Sequence, residues 1–247
     1  MSRTPLAGRV ALLTGASGGI GRAVATALAE AGADLALTFS SSPDPAHGVA
    51  EEVRRAGRRV IVLQADLADP ATPTQLVAET ERQLGPVELL VANAGAGEQR
   101  SWEEVDVGLW DATLAVNLRA PFLLVQAVAP GMVERGFGRI LALSSVAAYT
   151  GGVVGPHYAA SKAGLNGLVH YFAGRLAGDG VTVNGIAPAL IEQTGMLPEA
   201  PDGAMPLPIP VGRLGLPHEV ADLALAVLTN AYLTNQVMLL DGGLHPR

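Results

Sequence analysis

Tyr158 and Lys162 stand four positions apart in His157-Tyr-Ala-Ala-Ser-Lys162, with Ser145 thirteen residues upstream and Asn117 earlier still. On a helix, positions i and i+4 share a face, so a phenol and an ammonium point the same way. A phenol ionises only near pH ~10, and a nearby cation favours the phenolate and lowers that value. The pairing predicts a proton donor and acceptor suited to interconverting a carbonyl and an alcohol. A surface Tyr and Lys sharing a helix face by chance leave the same trace. What separates the two readings is a glycine-rich loop near the front of the chain.

That loop is Thr14-Gly-Ala-Ser-Gly-Gly-Ile-Gly21, between the apolar run Val10-Ala-Leu-Leu-Thr14 and a helical stretch opening at Arg22. Strand, glycine loop and helix in succession form a phosphate-binding context. Glycine lets the backbone turn tightly and approach a pyrophosphate, while the N–H groups and dipole of the helix N-terminus attract an anion. The glycines at 15, 18, 19 and 21 do not follow the literal G-x-G-x-x-G spacing.

These residues need a scaffold, and the sequence supplies one. Short apolar runs recur at Leu35–Phe39, Val60–Leu63, Leu89–Ala92, Ile140–Leu143, Val181–Ile186 and Val237–Leu240, alternating with helical patterns. Alternation of this kind predicts βαβ units in one α/β domain spanning 1–247, a doubly wound sheet of about seven parallel strands with helices on both faces. Helices are expected from Arg22 to Ala31 before Gly32, and from an Asp69 N-cap with Pro70 towards Leu84. Two more should run from about Val105 to Arg135, kinked near Pro121, and from Tyr158 to about Ala177. The stretch 188–217 breaks the alternation, with seven prolines and the apolar Met196, Leu197, Met205 and Ile209, and reads as a substrate lid.

Composition narrows the function. A net charge of −7 argues against a nucleic-acid partner, and the absence of cysteine excludes thiolate metal sites and disulfides. Five scattered histidines form no ligand spacing, so no metal is expected, and His157 reads as a wall of the site. Neither a signal peptide nor an uninterrupted apolar run of about 20 residues is evident, which predicts a cytoplasmic protein without a membrane partner. With 49% hydrophobic and only 16% charged residues, apolar surface should be hidden between subunits.

Taken together, Thr14-Gly-x-x-x-Gly-x-Gly21, Asn93-Ala-Gly95, Asn117, Ser145, Tyr158-x-x-x-Lys162 and Val183-Asn-Gly-Ile-Ala-Pro188 resemble the short-chain dehydrogenases/reductases in their single-domain form. The resemblance runs nearly the whole length and is nearest in pattern to 3-oxoacyl-[acyl-carrier-protein] reductases. It implies a Rossmann-type sheet binding a nicotinamide dinucleotide. Gly15, Ser17, Gly18, Gly19, Ile20 and Gly21 would hold the phosphates and adjacent ribose. Asp66 and Leu67 would meet the adenine, Asn93, Ala94 and Gly95 the adenosine side, and Pro188, Ile191 and Gln193 the nicotinamide side. Asp66 read alone is equally a helix-entry cap.

At the end of the second strand, Phe39, Ser40, Ser41 and Ser42 stand where an NAD-preferring site places a carboxylate. That favours NADP(H) over NAD(H), although Gly18 offers no cation where many NADP-using relatives carry Arg or Lys. The resemblance further implies that Tyr158 exchanges the substrate proton and that Lys162 lowers its pKa and holds the nicotinamide ribose. Ser145 would donate to the substrate oxygen, and Asn117 would place a relay water. Departures from the pattern are Ala189 for glycine, Gln193 for a threonine (with Thr194 adjacent), Asn235 for glycine, and Gly136 and Asp179 at places often basic in carrier-protein reductases.

The leading expectation is thus an NADP(H)-dependent oxidoreductase acting on a small-molecule carbonyl or alcohol, with a 3-oxoacyl thioester among the candidates, as a homotetramer or dimer. The alternatives are an NAD-dependent alcohol, sugar or steroid dehydrogenase, and a nucleotide-binding regulator without catalysis.

Overall fold

The computed structural model describes residues 4–194 and 208–245. The apolar runs form β1 (Val10–Leu13), β2 (Asp34–Phe39), β3 (Val60–Gln64), β4 (Leu89–Ala92), β5 (Gly138–Leu143), β6 (Val181–Pro188) and β7 (Val237–Leu240). All pair in parallel in one sheet of order β3-β2-β1-β4-β5-β6-β7. The five inner strands are buried along their whole length, and only the edge strands β3 and β7 are partly exposed. Side chains alternate across the sheet. Leu13, Leu35 and Leu37 enter one apolar core, while Leu12, Leu90 and Ile140 enter the other.

The helices are α1 (Gly19–Glu30), α2 (Pro43–Arg55), α3 (Thr72–Leu84), α4 (Val107–Leu114), α5 (Ala120–Glu134), α6 (Ala147–Thr150), α7 (Pro156–Leu176) and α8 (Pro217–Thr229). The first core lies under α1, α2 and α8, the second under α3, α5 and α7. Strand order reverses between β1 and β4, and an open α/β sheet leaves a crevice at the carboxyl ends of such a pair. Thr14 and Asn93 stitch that point together. The Asn93 amide donates to the Thr14 and Gly15 carbonyls, each at 2.9 Å, and the Thr14 hydroxyl accepts from the Asn93 and Ala94 N–H groups at 3.1 and 3.0 Å.

Several expected boundaries moved. The first helix begins at Gly19 rather than Arg22, drawing the last glycines of the loop into its opening turn. Its end is as expected, with Gly32 in the left-handed region at φ +103°. Asp69 does not cap the next helix. Its carboxylate accepts from Ala71 at 2.9 Å, and α3 opens at Thr72 with Pro73 in the first turn. The kink near Pro121 is a π turn at Ala115–Arg119, where the Ala120 N–H reaches back five residues to Ala115. Pro121 has no N–H to offer the Asn117 carbonyl four residues earlier, which relaxes the α-helical ladder there.

Three helices were not anticipated, the four-residue α6 and the longer α2 and α8. Pro43, Pro45 and Gly48 hid α2, although Ala46, Val49, Ala50 and Val53 carry the helical period and are all buried. The prolines sit in the first turn, where an N–H has no partner to lose. Helix α8 opens with Pro217 and shows the same period in Val220, Ala221, Ala224, Val227 and Leu228.

The helical stretch Val107–Glu134 contains an 18-residue window with a mean hydropathy of 1.4, apolar enough by length and composition for a membrane span, although Asp111, Asn117, Arg119 and Gln126 interrupt it. It packs against α3, α7, β4 and β5. Of the expected lid, Pro188 closes β6 and Pro217 opens α8, while 195–207, with Met196, Leu197 and Met205, lie outside the described residues. The base of this connection is pinned by an isolated bridge of Ile191 to Gly215, with Glu192 donating to Gly215 at 2.9 Å and Gly215 to Leu190 at 3.0 Å.

Two helical glycines should respond to alanine with opposite signs. A Cβ at Gly21 would lie 2.2 Å from the Gly15 carbonyl oxygen, whereas one at Gly48 meets nothing within 4 Å. Chemical denaturation should show Gly21→Ala losing about 1–3 kcal/mol through overpacking. Gly48→Ala should gain about 0.5–1 kcal/mol from helix propensity. A neutral Gly21→Ala would mean that the loop and helix do not pack as described.

Candidate active site

A cavity of about 440 Å³ opens along the carboxyl ends of the strands, running from the glycine loop to α7. At one end it is walled by Gly15, Ser17, Gly18, Gly19, Ile20 and Gly21. Their glycines answer to contacts rather than to flexibility alone. A Cβ at Gly15, which has φ +70°, would come within 2.9 Å of Ala94, and one at Gly19 within 2.5 Å of the Gln193 carbonyl. Gly18 meets only the Gly15 oxygen at 4.0 Å, so nothing stands between its backbone and the cavity. No side chain caps the helix that starts at Gly19. Its free N–H groups and positive dipole end suit the pyrophosphate of a dinucleotide.

Farther along, Phe39 and Ser40 at the end of β2, Asp66 and Leu67 after β3, and Asn93, Ala94 and Gly95 after β4 line the same cavity. Ser41 does not reach it. Asp66 holds a local turn, accepting from Ala68 at 2.9 Å, and its carboxylate caps no helix. Thr38, which no motif flagged, faces the cavity and accepts from the Gly15 N–H at 3.2 Å, tying β2 to the loop.

The reacting end is built on α7. Pro156 starts that helix, and Tyr158 and Lys162 follow on one face, the ammonium 5.6 Å from the centre of the phenol ring. Lys162 is buried and donates to the Leu143 carbonyl at 2.7 Å. Burial pulls its pKa down to about 8, because the charged form has lost its water. Burial also raises the Tyr158 phenol above its ordinary value, while a hydrogen bond with the Ser145 side chain pulls it partly back. The sequence argument had Lys162 depressing the phenol. In the structure burial is the larger effect on the phenol, and the group that lowers its pKa is Ser145 rather than Lys162.

Ser144 and Ser145 face different ways. The Ser144 hydroxyl is committed inward, donating to the Asn166 side-chain oxygen at 2.6 Å, while Ser145 faces the phenol and accepts from the Ala147 N–H at 3.1 Å.

Asn117 is fully buried in the π turn and does not line the cavity. Its side chain clamps the Ala96 backbone on both sides, accepting from the N–H at 2.7 Å and donating to the carbonyl at 2.8 Å, and donates to Ser161 at 3.1 Å. Ser161 in turn donates to the Tyr158 carbonyl at 2.7 Å. The next residue, Gly97, lies against the tyrosine ring: a Cβ there would be 2.8 Å from it and 3.1 Å from Val154. Neither Ser161 nor Gly97 was flagged beforehand. Ser161 was legible as the residue three beyond Tyr158, whereas Gly97 left no sequence signal.

On the nicotinamide side Pro188 and Ile191 line the cavity, as does Thr194, whose hydroxyl donates to Ile191 at 3.0 Å. Gln193 does not. Its backbone is left-handed at φ 59°, its side chain is exposed, and its carbonyl rests on Gly19. Asn235 is also left-handed, at φ 64°, consistent with a turn position that glycine fills elsewhere. His157 is buried but not on the cavity wall, and neither ring nitrogen has a hydrogen-bond partner.

Residues 9–204 match the family model for short chain dehydrogenase. The chain belongs to that family. It is 35% identical over 247 residues to L-rhamnose 1-dehydrogenase (NAD(P)(+)) of Sphingomonas sp., covering 97% of each chain. It is 33% identical to the 3-oxoacyl-[acyl-carrier-protein] reductase of Staphylococcus epidermidis, covering 95% of this chain and 98% of that one. A blue fluorescent protein from a metagenomic library, solved in complex with NADPH, superposes with a TM-score of 0.91 at 35% identity, covering 98% of this chain and 100% of that one. The protein is therefore an oxidoreductase of the short-chain dehydrogenase family, whose members bind a nicotinamide dinucleotide.

The buried lysine makes a pH-dependent prediction. With its folded pKa lowered from 10.5 to about 8, the unfolded chain binds more protons between those values, so stability rises with pH across that window. Lys162→Met removes the ionisation cost. Its stability relative to the parent should therefore fall by about 3 kcal/mol as pH is raised from below 8 to above 10. A difference that stays flat in denaturation at several pH values would mean the ammonium is solvated.

Proposed function

We propose that this dehydrogenase is an NADP(H)-dependent carbonyl reductase in which Tyr158 exchanges the substrate proton, supported by Lys162, Ser145 and Asn117. The observation that carries the reading is the convergence of Ser145, Tyr158 and the buried Lys162 on the wall of one cavity, with the ammonium 5.6 Å from the centre of the phenol ring. When bound, the dinucleotide supplies or accepts the hydride.

The chain's own groups do the rest. The phenol, kept protonated by burial, donates its proton to the oxygen of a reduced carbonyl, and the Ser145 hydroxyl donates to that same oxygen as charge builds on it. Lys162 stabilises the phenolate left behind and holds the nicotinamide ribose. Asn117 steadies the Ala96–Gly97 backbone against the ring through its bonds to Ala96 and to Ser161. Gly15, Ser17, Gly18, Gly19, Ile20 and Gly21 hold the phosphates, and Asp66, Leu67, Asn93, Ala94 and Gly95 the adenosine half.

Preference for NADP(H) is supported by Phe39 and Ser40 at the end of β2, where no carboxylate faces the cavity. The NADPH-bound structural relative supports it too. The rhamnose dehydrogenase, whose name covers both nucleotides, keeps the NAD-dependent alternative in view. A 3-oxoacyl thioester is supported by the reductase relative. A carrier protein is supported less, because Arg135 is bonded to the Val87 carbonyl, Arg139 is buried, and Asp179 would repel an acidic partner.

A homotetramer is the assembly we favour. Phe122 on α5 stacks on Phe172 of α7, which meets Tyr171 edge-on, and Phe122 and Tyr171 are exposed. Sedimentation should return the mass of four subunits, and a single-subunit mass would exclude the assembly.

For the chemistry, Tyr158→Phe should bind the dinucleotide within about threefold of the parent yet lose at least about 1,000-fold in kcat, on the scale of general acid catalysis. Retained turnover would remove Tyr158 from the reaction. In the parent, kcat/KM for NADPH should exceed that for NADH, and a tenfold advantage of NADH would reverse the cofactor assignment.

A further inference from the structure

The reacting end of the cavity is enclosed by Val146, Ala147, Val153, Val154, Ala189 and Leu190. These residues are local to Tyr158: Val154 and the phenol ring both press on Gly97, Val146 follows Ser145, and its N–H donates to the Pro188 carbonyl at 3.0 Å. Among the described residues only two charged side chains line the cavity, Asp66 and Lys162. Asp66 belongs to the far end, since the preceding residue, Ala65, pairs with Phe39 at 2.8 Å. The Lys162 ammonium is taken by the Leu143 carbonyl.

Cations just outside the wall are equally committed. Arg100, on the loop that follows Gly97, is paired with Glu98 and bonded to the Gln99 carbonyl. Arg213 is paired with Glu219. The stretch 195–207 carries Glu199 and Asp202 and contains no Lys, Arg or His in its sequence, so it adds no positive charge.

The hydroxyls at this end are spent as well. Thr150 donates to the Val146 carbonyl at 3.1 Å and accepts from the Gly152 N–H at 3.2 Å. Ser144 is turned to Asn166, and Thr194 to Ile191. Among the described residues at this end only the Ser145 and Tyr158 hydroxyls are left to address the cavity, and one carbonyl oxygen occupies them. A carboxylate or phosphate entering here would lose its water without gaining a counter-charge, and a polyol would leave its hydroxyls unpaired.

We infer that the substrate is a neutral, predominantly apolar ketone or the corresponding secondary alcohol, and that anionic and polyhydroxylated substrates are selected against. This rests on the hydride-transfer reading above. In reduction, the carbonyl carbon gains a hydride from the reduced nicotinamide, which is left oxidised. The C=O π pair becomes an O–H bond with the Tyr158 proton, and solvent returns that proton to the phenolate.

The test uses the full chain with NADPH and, separately, NADH. Three substrates of equal chain length are compared: an aliphatic methyl ketone, the same skeleton ending in a carboxylate, and a ketose. The methyl ketone should exceed each of the others by about 100-fold or more in kcat/KM, the scale expected when buried polar groups go unpaired. Equal or better turnover of the carboxylate or the ketose overturns the assignment.

Binding separates this claim from the chemistry. Calorimetry on Tyr158→Phe, saturated with dinucleotide, should show the ketone binding about tenfold or more tightly than the other two. Equal affinity overturns the substrate class. Absence of turnover with the binding preference intact counts only against hydride transfer. Leu190→Lys or Val153→Lys, whichever folds, should raise kcat/KM for the carboxylate about tenfold and lower it for the methyl ketone. Unchanged selectivity in a folded variant overturns the location of the wall.

Discussion

An ammonium held out of water by one carbonyl oxygen is the interaction on which this site turns. Lys162 donates to Leu143, the last residue of β5, so the sheet itself fixes the charge beneath the helix that carries the tyrosine. The arrangement is costly, as the lowered lysine pKa records. It persists because β5 is an inner strand of the sheet and α7 packs beside it, which keeps the side chain buried at the cavity wall.

Around that interaction the protein uses backbone contacts where side chains would be too bulky. The loop after β1 closes on itself and on β4 through glycines whose missing Cβ atoms would collide with neighbouring carbonyls. Asn117 grips Ala96 through both its N–H and its carbonyl, and the second of those peptides leads to the glycine resting on the phenol. Position is thus transmitted from a π turn in a core helix to the Tyr158 ring, through hydrogen bonds and one packing contact.

Much of this was legible in the residues themselves. The seven strands announce themselves as apolar runs because strands covered on both faces need no polar alternation. Tyr158 and Lys162 are readable from helical spacing, and the loop from its glycines between a strand and a helix. What stayed hidden follows a pattern. Helix α2 was masked by prolines that are harmless in a first turn, and the Asp69 cap failed because a local turn satisfied the carboxylate first. The direction of the Tyr158 shift was misjudged because sequence gives proximity but not burial. Gly97, Ser161 and Thr38 act through three-dimensional neighbours, and no spacing rule points to them.

One contact links the two ends of the cavity. The Gln193 carbonyl sits where a Gly19 side chain would be, so the first turn of α1 and the start of the β6–α8 connection share a surface with no slack. Any ligand that tightens the turn must displace or fix that connection, and reciprocity requires that the connection's own preferences feed back on the ligand's affinity. The two halves of a dinucleotide-plus-substrate complex are in this sense a single equilibrium, with its coupling written into one peptide group.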